Sequence, residues 1–291
     1  MLSSPSYSGN FSKGALSYVI KVDDTTILDF RNTVLRQYRA AGRAFPWRET
    51  RDPYAVLVSE MMLQQTQTLR VVPKYLSWLS AFPDAKTLAD APLSAVLERW
   101  VGLGYNRRAK YLHETCKTVV RDFEGRFPQD PETLETLPGI GPYTARAVST
   151  FAFGMPNAFI ETNIRSVFLF FFFPGETGVS DADIRPLLEK TLDREDPRTW
   201  YYALMDYGSE LKKTVGNPNR VSSHYVKQSK FEGSLRQARG AIVRRIQLKG
   251  PVSYGEIAAE EGIDYERVVT AGAALEKEGI ISRHGDLYRF P

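Results

Sequence analysis

Cysteine is nearly absent from this chain: Cys116 is the only one in 291 residues. A single thiol can neither close an internal disulfide nor supply the several thiolates of a metal cluster. Histidine is almost as scarce, and His113, His224 and His284 are scattered with no zinc-ligand spacing. The residues therefore predict no metal ligand set, and the lack of disulfides fits a reducing, cytoplasmic compartment. Long apolar runs are missing as well. The longest, Val167 to Phe173, falls far short of the ~20 residues of a membrane span and reads as a buried helix. The first ten residues are Ser-rich, with neither a basic start nor an apolar stretch, so no secretory signal is expected.

What is present suits a globular protein. The chain is 43% hydrophobic and 25% charged, and it is long enough for one large domain or two. The net charge of +4 is unevenly spread. Ten basic residues fall between Lys212 and Lys249, with Lys212, Lys213, Arg220 and Lys227 among them, against the single acid Glu232. That stretch is +9 and the remainder −5. Such a distribution is expected of phosphate-backbone contacts or, alternatively, of a solvated linker.

Residues 1–24 lack periodicity and are expected to form a tail or loosely docked arm. From Thr26 to Lys213 the apolar spacing predicts short helices cut by Pro and Gly, with no alternating strand pattern. They are expected over 26–41, 54–66, 69–82, 86–90, 92–101, 106–122, 131–136, 142–153, 161–173, 181–194 and 197–213. Residues 214–233 read as a basic linker. A helix over 234–248 follows, then a capping box from Ser253 to Glu256 that opens a helix to Glu261. Another helix, 264–278, is stopped by Gly279, and two short strands flank His284-Gly-Asp. That order resembles a winged-helix domain over 234–291.

The most informative stretch runs from Leu137 to Ala152. Gly139 and Gly141 bracket a turn too tight for side chains, and Pro142 suits the first position of a helix. A short helix opened by Pro131 comes just before. Helix, Gly-x-Gly turn and helix leave bare backbone amides at a positive helix end, where a DNA phosphate can bind. An ordinary glycine-rich connection is the alternative.

Four further stretches accompany this hairpin: Phe45-Pro-Trp-Arg48, Val58-Ser-Glu-Met-Met-Leu-Gln-Gln-Thr-Gln67, Gly102-Leu-Gly-Tyr105 and Ile160-Glu-Thr-Asn-Ile-Arg-Ser-Val167. Together, in unbroken order over about residues 26–213, they resemble the helix-hairpin-helix (HhH-GPD) DNA glycosylases, and among these the adenine glycosylase (MutY) branch. The resemblance implies a mainly α chain: a two-lobed, all-helical glycosylase fold over 25–213, with the winged helix added behind it. It implies base-excision repair of double-stranded DNA, with removal of a mispaired or damaged base, adenine first. A monomer associated with the nucleoid, with no membrane contact, is expected.

Cleaving an N-glycosidic bond leaves cationic character on the sugar and negative charge on the departing base. One acid should protonate the base, and one carboxylate should stabilise the cation and direct water. The resemblance gives Glu60 the first role and Glu161 the second, with Asn163 beside it. Glu161 departs from the family's aspartate by one methylene. Tyr143 stands where strand-cutting relatives carry a Schiff-base lysine, so it implies hydrolysis without a lyase step. Gln65, Thr66 and Tyr105 would fill the gap left by the flipped base, and Arg48 would line its pocket. Gly139, Gly141 and Thr144, with Lys212, Lys213 and Arg220, would hold the DNA backbone.

Two family elements are missing. One is the four-cysteine iron–sulfur loop after Met205-Asp-Tyr-Gly208; the other is the C-terminal domain that reads 8-oxoguanine. No cofactor is expected, apart from a structural monovalent cation for which the hairpin has room. The basic linker and the winged helix are expected to take over the loop's part. Left open are a thymine or uracil mismatch or hypoxanthine glycosylase, and a lesion-binding protein without activity.

Overall fold

The computed structural model describes residues 10–13, 18–226 and 230–291; residues 1–9, 14–17 and Lys227 of the expected arm and basic stretch lie outside these. The described residues are mainly helical. In chain order they form β1 (Asn10–Lys13), β2 (Tyr18–Lys21), α1 (Asp24–Ala41), α2 (Pro53–Leu63), α3 (Thr68–Ala81), α4 (Ala85–Asp90), α5 (Leu93–Trp100) and α6 (Arg107–Asp122). There follow α7 (Pro131–Glu135), α8 (Pro142–Phe153), α9 (Thr162–Phe172), α10 (Asp181–Thr191), α11 (Pro197–Thr214), α12 (Leu235–Lys249), α13 (Tyr254–Glu261), α14 (Tyr265–Lys277), β3 (Ser282–His284) and β4 (Leu287–Arg289). Single 3-10 turns stand at Pro46–Arg48 and Pro218–Val221. Two compact units result: Met1–Arg51 with Ala145–Lys227, and Asp52–Thr144 with Gln228–Pro291.

In the first unit α11 packs along α9, and α1 lies on α11. The Phe-rich run is core, as the sequence predicts. Phe30 of α1 meets Phe168, Phe171, Phe172 and Trp200 with ring centroids 5.4, 5.0, 4.9 and 5.8 Å away, all tilted or edge-on. Each such buried ring contributes about 1.5–3 kcal/mol. The expected N-terminal tail differs: β1 and β2 pair antiparallel, Asn10 opposite Lys21. The start of the expected linker also differs. Val221 accepts from the Gly178 amide (2.8 Å), Val179 accepts from Ser223 (3.0 Å), and Arg165 reaches both Asp181 and Asn219. Residues 218–223 are thus laid onto α9 and the turn before α10.

In the second unit α4 and α5 pack on α6, and α2 packs on α3 and α6. The Tyr54 hydroxyl donates to Phe82 O (2.8 Å) and accepts from Trp78 Nε1 (3.1 Å), pinning α2 to the end of α3. The winged helix belongs to this unit. Its Ser253–Glu256 capping box forms as the residues predict. β3 and β4 pair antiparallel, and Val252 bridges to Tyr288 as a third, minimal strand. Glu278, just past α14, accepts from Arg107 (2.8 Å) and Arg239 (2.6 Å), while Lys110 donates to its carbonyl (2.8 Å). The domain is thereby docked on α6.

Two helices stop three residues short of their expected ends, α2 at Leu63 rather than 66 and α10 at Thr191 rather than 194, where the others end within a residue of expectation. The reason for the first lies in the site.

Candidate nucleic-acid interface and active-site residues

Helix α2 is opened by Asp52, whose carboxylate caps the amides of Tyr54 and Ala55, and by Pro53 at its first position. Its residues from Tyr54 to Met62 are all buried. Glu60 is among them, 7% exposed, the one charged residue in the run. A carboxyl so deep needs partners. Tyr143, in the first turn of α8, supplies one: its hydroxyl donates to Glu60 Oε2 at 3.1 Å. Two sequence-predicted residues from distant segments are thus brought together within the second unit.

Past Leu63 the chain turns sharply, with Gln65 at φ +54°. The last carbonyls of a helix have no partner within it, and Arg108 of α6 takes them. Its Nη1 donates to Met61 O (2.6 Å), Met62 O (3.2 Å) and Gln64 O (2.6 Å), and its Nη2 to Leu103 O (3.2 Å), Gly104 O (3.1 Å) and the Thr66 hydroxyl (3.3 Å). Burial pushes the Arg108 guanidinium down to about 10, with the charge of Tyr105 opposing. One guanidinium therefore ends α2 and shapes the 103–104 turn. Tyr105, at φ +48° and 41% exposed, donates to Gln65 Oε1 at 2.6 Å. Two strained, exposed residues held on an anchored frame suit insertion into a duplex. Arg108 escaped the sequence reading.

Of the two glycines expected to bracket a turn too tight for side chains, Gly139 bears the expectation out and Gly141 does not, since its Cβ position is open. Gly139 has φ +73°, and a Cβ there would stand 2.4 Å from Tyr111 Cβ, so only glycine fits. Thr115 donates to Pro138 O (2.6 Å), and Ile140 is buried beneath the turn. Gly141 is exposed, and a Cβ there would meet nothing within 4 Å. Thr144, expected on the DNA backbone, is corrected: it is 3% exposed and accepts from Gln64 Nε2 at 3.3 Å. It stands on the inward face of α8, in step with buried Ala147, Val148 and Phe151.

In the first unit, Glu161 is the N-cap of α9. Its Oε1 accepts from the amides of Asn163 (2.7 Å) and Ile164 (2.8 Å), and its Oε2 from Asn163 Nδ2 (3.1 Å). The carboxylate sits at the positive end of the helix. Lys212 is the second correction. The sequence groups it with phosphate contacts, but its Nζ donates to Asn163 Oδ1 at 2.7 Å. Burial lowers its pKa below the ordinary lysine value, while Glu161 opposes that shift. The cause is helical phase. Gly208, one turn earlier on α11, would drive a Cβ to 2.2 Å from Asn163 O, so its absence lets α11 meet the start of α9 here.

Arg48, expected to line the base pocket, has a side chain that is 9% exposed and bonds Asp206 Oδ2 (2.9 Å), Asp206 Oδ1 (2.8 Å) and Arg43 O (2.9 Å). Burial pushes the Asp206 carboxyl up, but Arg48 and Arg43 outweigh it and hold the group below the usual carboxylate range.

The basic stretch is also less open than its composition suggests. Lys213 pairs with Glu210, Arg239 with Glu278, Arg244 with Glu261, Arg245 with Glu260 and Glu261, and Lys249 with Glu260. Glu210 shares α11 with Lys213, but Glu260, Glu261 and Glu278 come from later in the chain, invisible to a local charge sum. Arg220 and Lys230 are exposed. Among the described residues no group of three or more His, Cys, Asp or Glu could hold a metal ion, and no helix is long and apolar enough to cross a membrane.

Residues 58–200 match the family described as HhH-GPD superfamily base excision DNA repair protein. The chain is 35% identical over 189 residues to an adenine DNA glycosylase of Buchnera aphidicola, covering 63% of this chain and 53% of the relative. It is 44% identical over 135 residues to that of Mycobacterium tuberculosis (46% and 44%), and 35% over 217 residues to that of Homo sapiens (70% and 39%). The chain thus spans about half the length, or less, of these curated relatives. Among solved structures it is similar to a thermostable thymine-DNA glycosylase, with TM-score 0.58 and 28% identity over 64% of this chain and 87% of that one. An endonuclease III in non-covalent complex with DNA gives TM-score 0.56 at 18% identity over 67% and 89%, a likeness of fold.

Proposed function

We propose that this chain, whose residues 58–200 match the HhH-GPD superfamily of base-excision DNA repair proteins, is a monofunctional glycosylase removing a mispaired or damaged base, adenine first, from duplex DNA. The observation that carries this is the buried Glu60 carboxyl with the Tyr143 hydroxyl on its Oε2. A buried acid suits proton donation to a departing base. The phenol beside it cannot form an imine, so the bond is hydrolysed and an abasic site remains.

Glu161 holds negative charge for the sugar cation and orients water, its own position fixed by two backbone amides and Asn163. Gln65 and Tyr105 fill the space of the extruded base. Gly141 lets the strand approach the hairpin amides, and Gly139 lets the turn that presents them close on Tyr111. The residues present do not fit a four-thiolate iron–sulfur cluster. Cys116 is alone and buried on α6, and the segment after α11 is held by backbone bonds and the Arg165–Asn219 contact instead. Adenine rests on the similarity to adenine DNA glycosylases.

The test is a panel of duplexes carrying A, T, U or hypoxanthine opposite each base and opposite 8-oxoguanine. Expected is an alkali-labile site at adenine, with the strand intact before alkali. No excision of any base would overturn the reading. Excision of T or U alone would favour a second reading, a pyrimidine mismatch glycosylase, which the similarity to the thymine-DNA glycosylase supports.

A further inference from the structure

We propose that Lys212 is a positioning residue for the Glu161 carboxylate, acting through Asn163; this rests on the glycosylase reading above. The chain of contacts is continuous. Lys212 Nζ donates to Asn163 Oδ1 (2.7 Å), and Asn163 Nδ2 donates to Glu161 Oε2 (3.1 Å).

An isolated asparagine amide can turn over, exchanging oxygen for nitrogen. With a cation on one end and a carboxylate on the other, only one orientation makes both bonds. Without the ammonium, the flipped amide would set its oxygen against Glu161 Oε2, and the carboxylate would lose its third donor. The other two donors, the amides of Asn163 and Ile164, both serve Oε1. Among the described residues, the Asn163 side chain is the one donor to Oε2. The glutamate needs this more than an aspartate would, because its extra methylene adds a torsion that must be frozen.

The fold aims the lysine at this task. Gly208 and Lys212 lie one turn apart on α11, hence on one face. Gly208 admits the Asn163 backbone, where a Cβ would stand 2.2 Å from its carbonyl oxygen. Lys212 then reaches the same residue's side chain. Its ammonium is partly buried, with Glu161 and Arg165 as the charged groups acting on it. A lysine serving DNA phosphates would instead stand in solvent.

The experiment uses the full chain with Lys212→Met, Lys212→Arg, Asn163→Ala and the Met/Ala double variant. Single-turnover excision, DNA affinity across salt concentrations, and Tm are measured. Lys212→Met is expected to slow excision about 10- to 100-fold, as misplacement of a reacting group does, with affinity, salt slope and Tm nearly unchanged. Lys212→Arg still donates to an amide oxygen and is expected to recover most of the rate. The double variant should be no slower than Asn163→Ala alone, since the two residues act in series.

A salt slope reduced by about 1 in Lys212→Met, with affinity lost, would make Lys212 a phosphate contact and overturn the proposal. A Lys212-dependent adduct trapped by borohydride on abasic DNA would make it a nucleophile and overturn it as well. An active wild type matched by Lys212→Met sinks the positioning role alone. A wild type that excises nothing sinks the glycosylase reading and this one with it.

Discussion

The Tyr143 hydroxyl donates to Oε2 of Glu60 at 3.1 Å, joining the first turn of α8 to the buried middle of α2. The contact gives the acid a neutral neighbour where a lysine would have left a cation. Glu60→Gln is expected to cut excision by about 10²–10⁴-fold while DNA affinity holds. Tyr143→Phe removes one hydrogen bond and should cost about tenfold in rate. Single-turnover kinetics with a fluorescent duplex check both. Equal loss of binding and rate in Glu60→Gln would make the acid structural.

Arg108 carries a stability prediction. Arg108→Met keeps the buried stem but leaves the carbonyls of Met61 and Gln64 without their 2.6 Å donor. Each orphaned buried carbonyl costs about 1–3 kcal/mol, so the variant should be at least about 3 kcal/mol less stable in urea unfolding. An unchanged midpoint would refute the capping role.

The two hairpin glycines should separate cleanly. Gly139→Ala meets both a φ of +73° and the Tyr111 side chain, and is expected to lower Tm by several degrees. Gly141→Ala meets nothing within 4 Å and should leave Tm unchanged while weakening duplex binding. Calorimetry and a titration at fixed salt read the two effects.

Asp206 gives a pH dependence. Its pKa in the folded protein lies below the ordinary value, chiefly through Arg48 and Arg43 against the opposing cost of burial. The stabilisation is therefore present above about pH 4 and lost as pH falls through the folded value. Asp206→Asn leaves two buried or half-buried guanidinium groups uncompensated, at a cost of about 3–5 kcal/mol near neutrality. The stability gap between wild type and Asp206→Asn should narrow as pH drops from 5 towards 2, measured by urea melts. A gap that widens on acidification would contradict the assignment.

Helices were legible wherever punctuation is chemical. Pro53, Pro131, Pro142 and Pro197 each open a helix, and Ser253 with Glu256 announces α13. The contact of Tyr143 with Glu60 could not be read as geometry, though both residues could be named. Arg108 was silent because its partners are carbonyls more than 40 residues upstream as well as in the adjoining turn, and carbonyls leave no mark in a sequence. Lys212 misled because its neighbours in sequence are basic, whereas its neighbours in space are Asn163 and Glu161. The charge of the 212–249 stretch misled similarly, since Glu260, Glu261 and Glu278 arrive from later in the chain. The pairing of β1 with β2 has no alternating pattern to announce it.

Because Arg108 grips both the end of α2, just beyond Glu60, and the turn that presents Tyr105, the proposed wedge and the proposed proton donor share one fastening. Under that proposal, damage to the fastening degrades recognition and chemistry together. Variants in which the two faults occur singly must therefore map elsewhere in the chain, which makes position 108 a reference point for sorting any inherited or engineered defect.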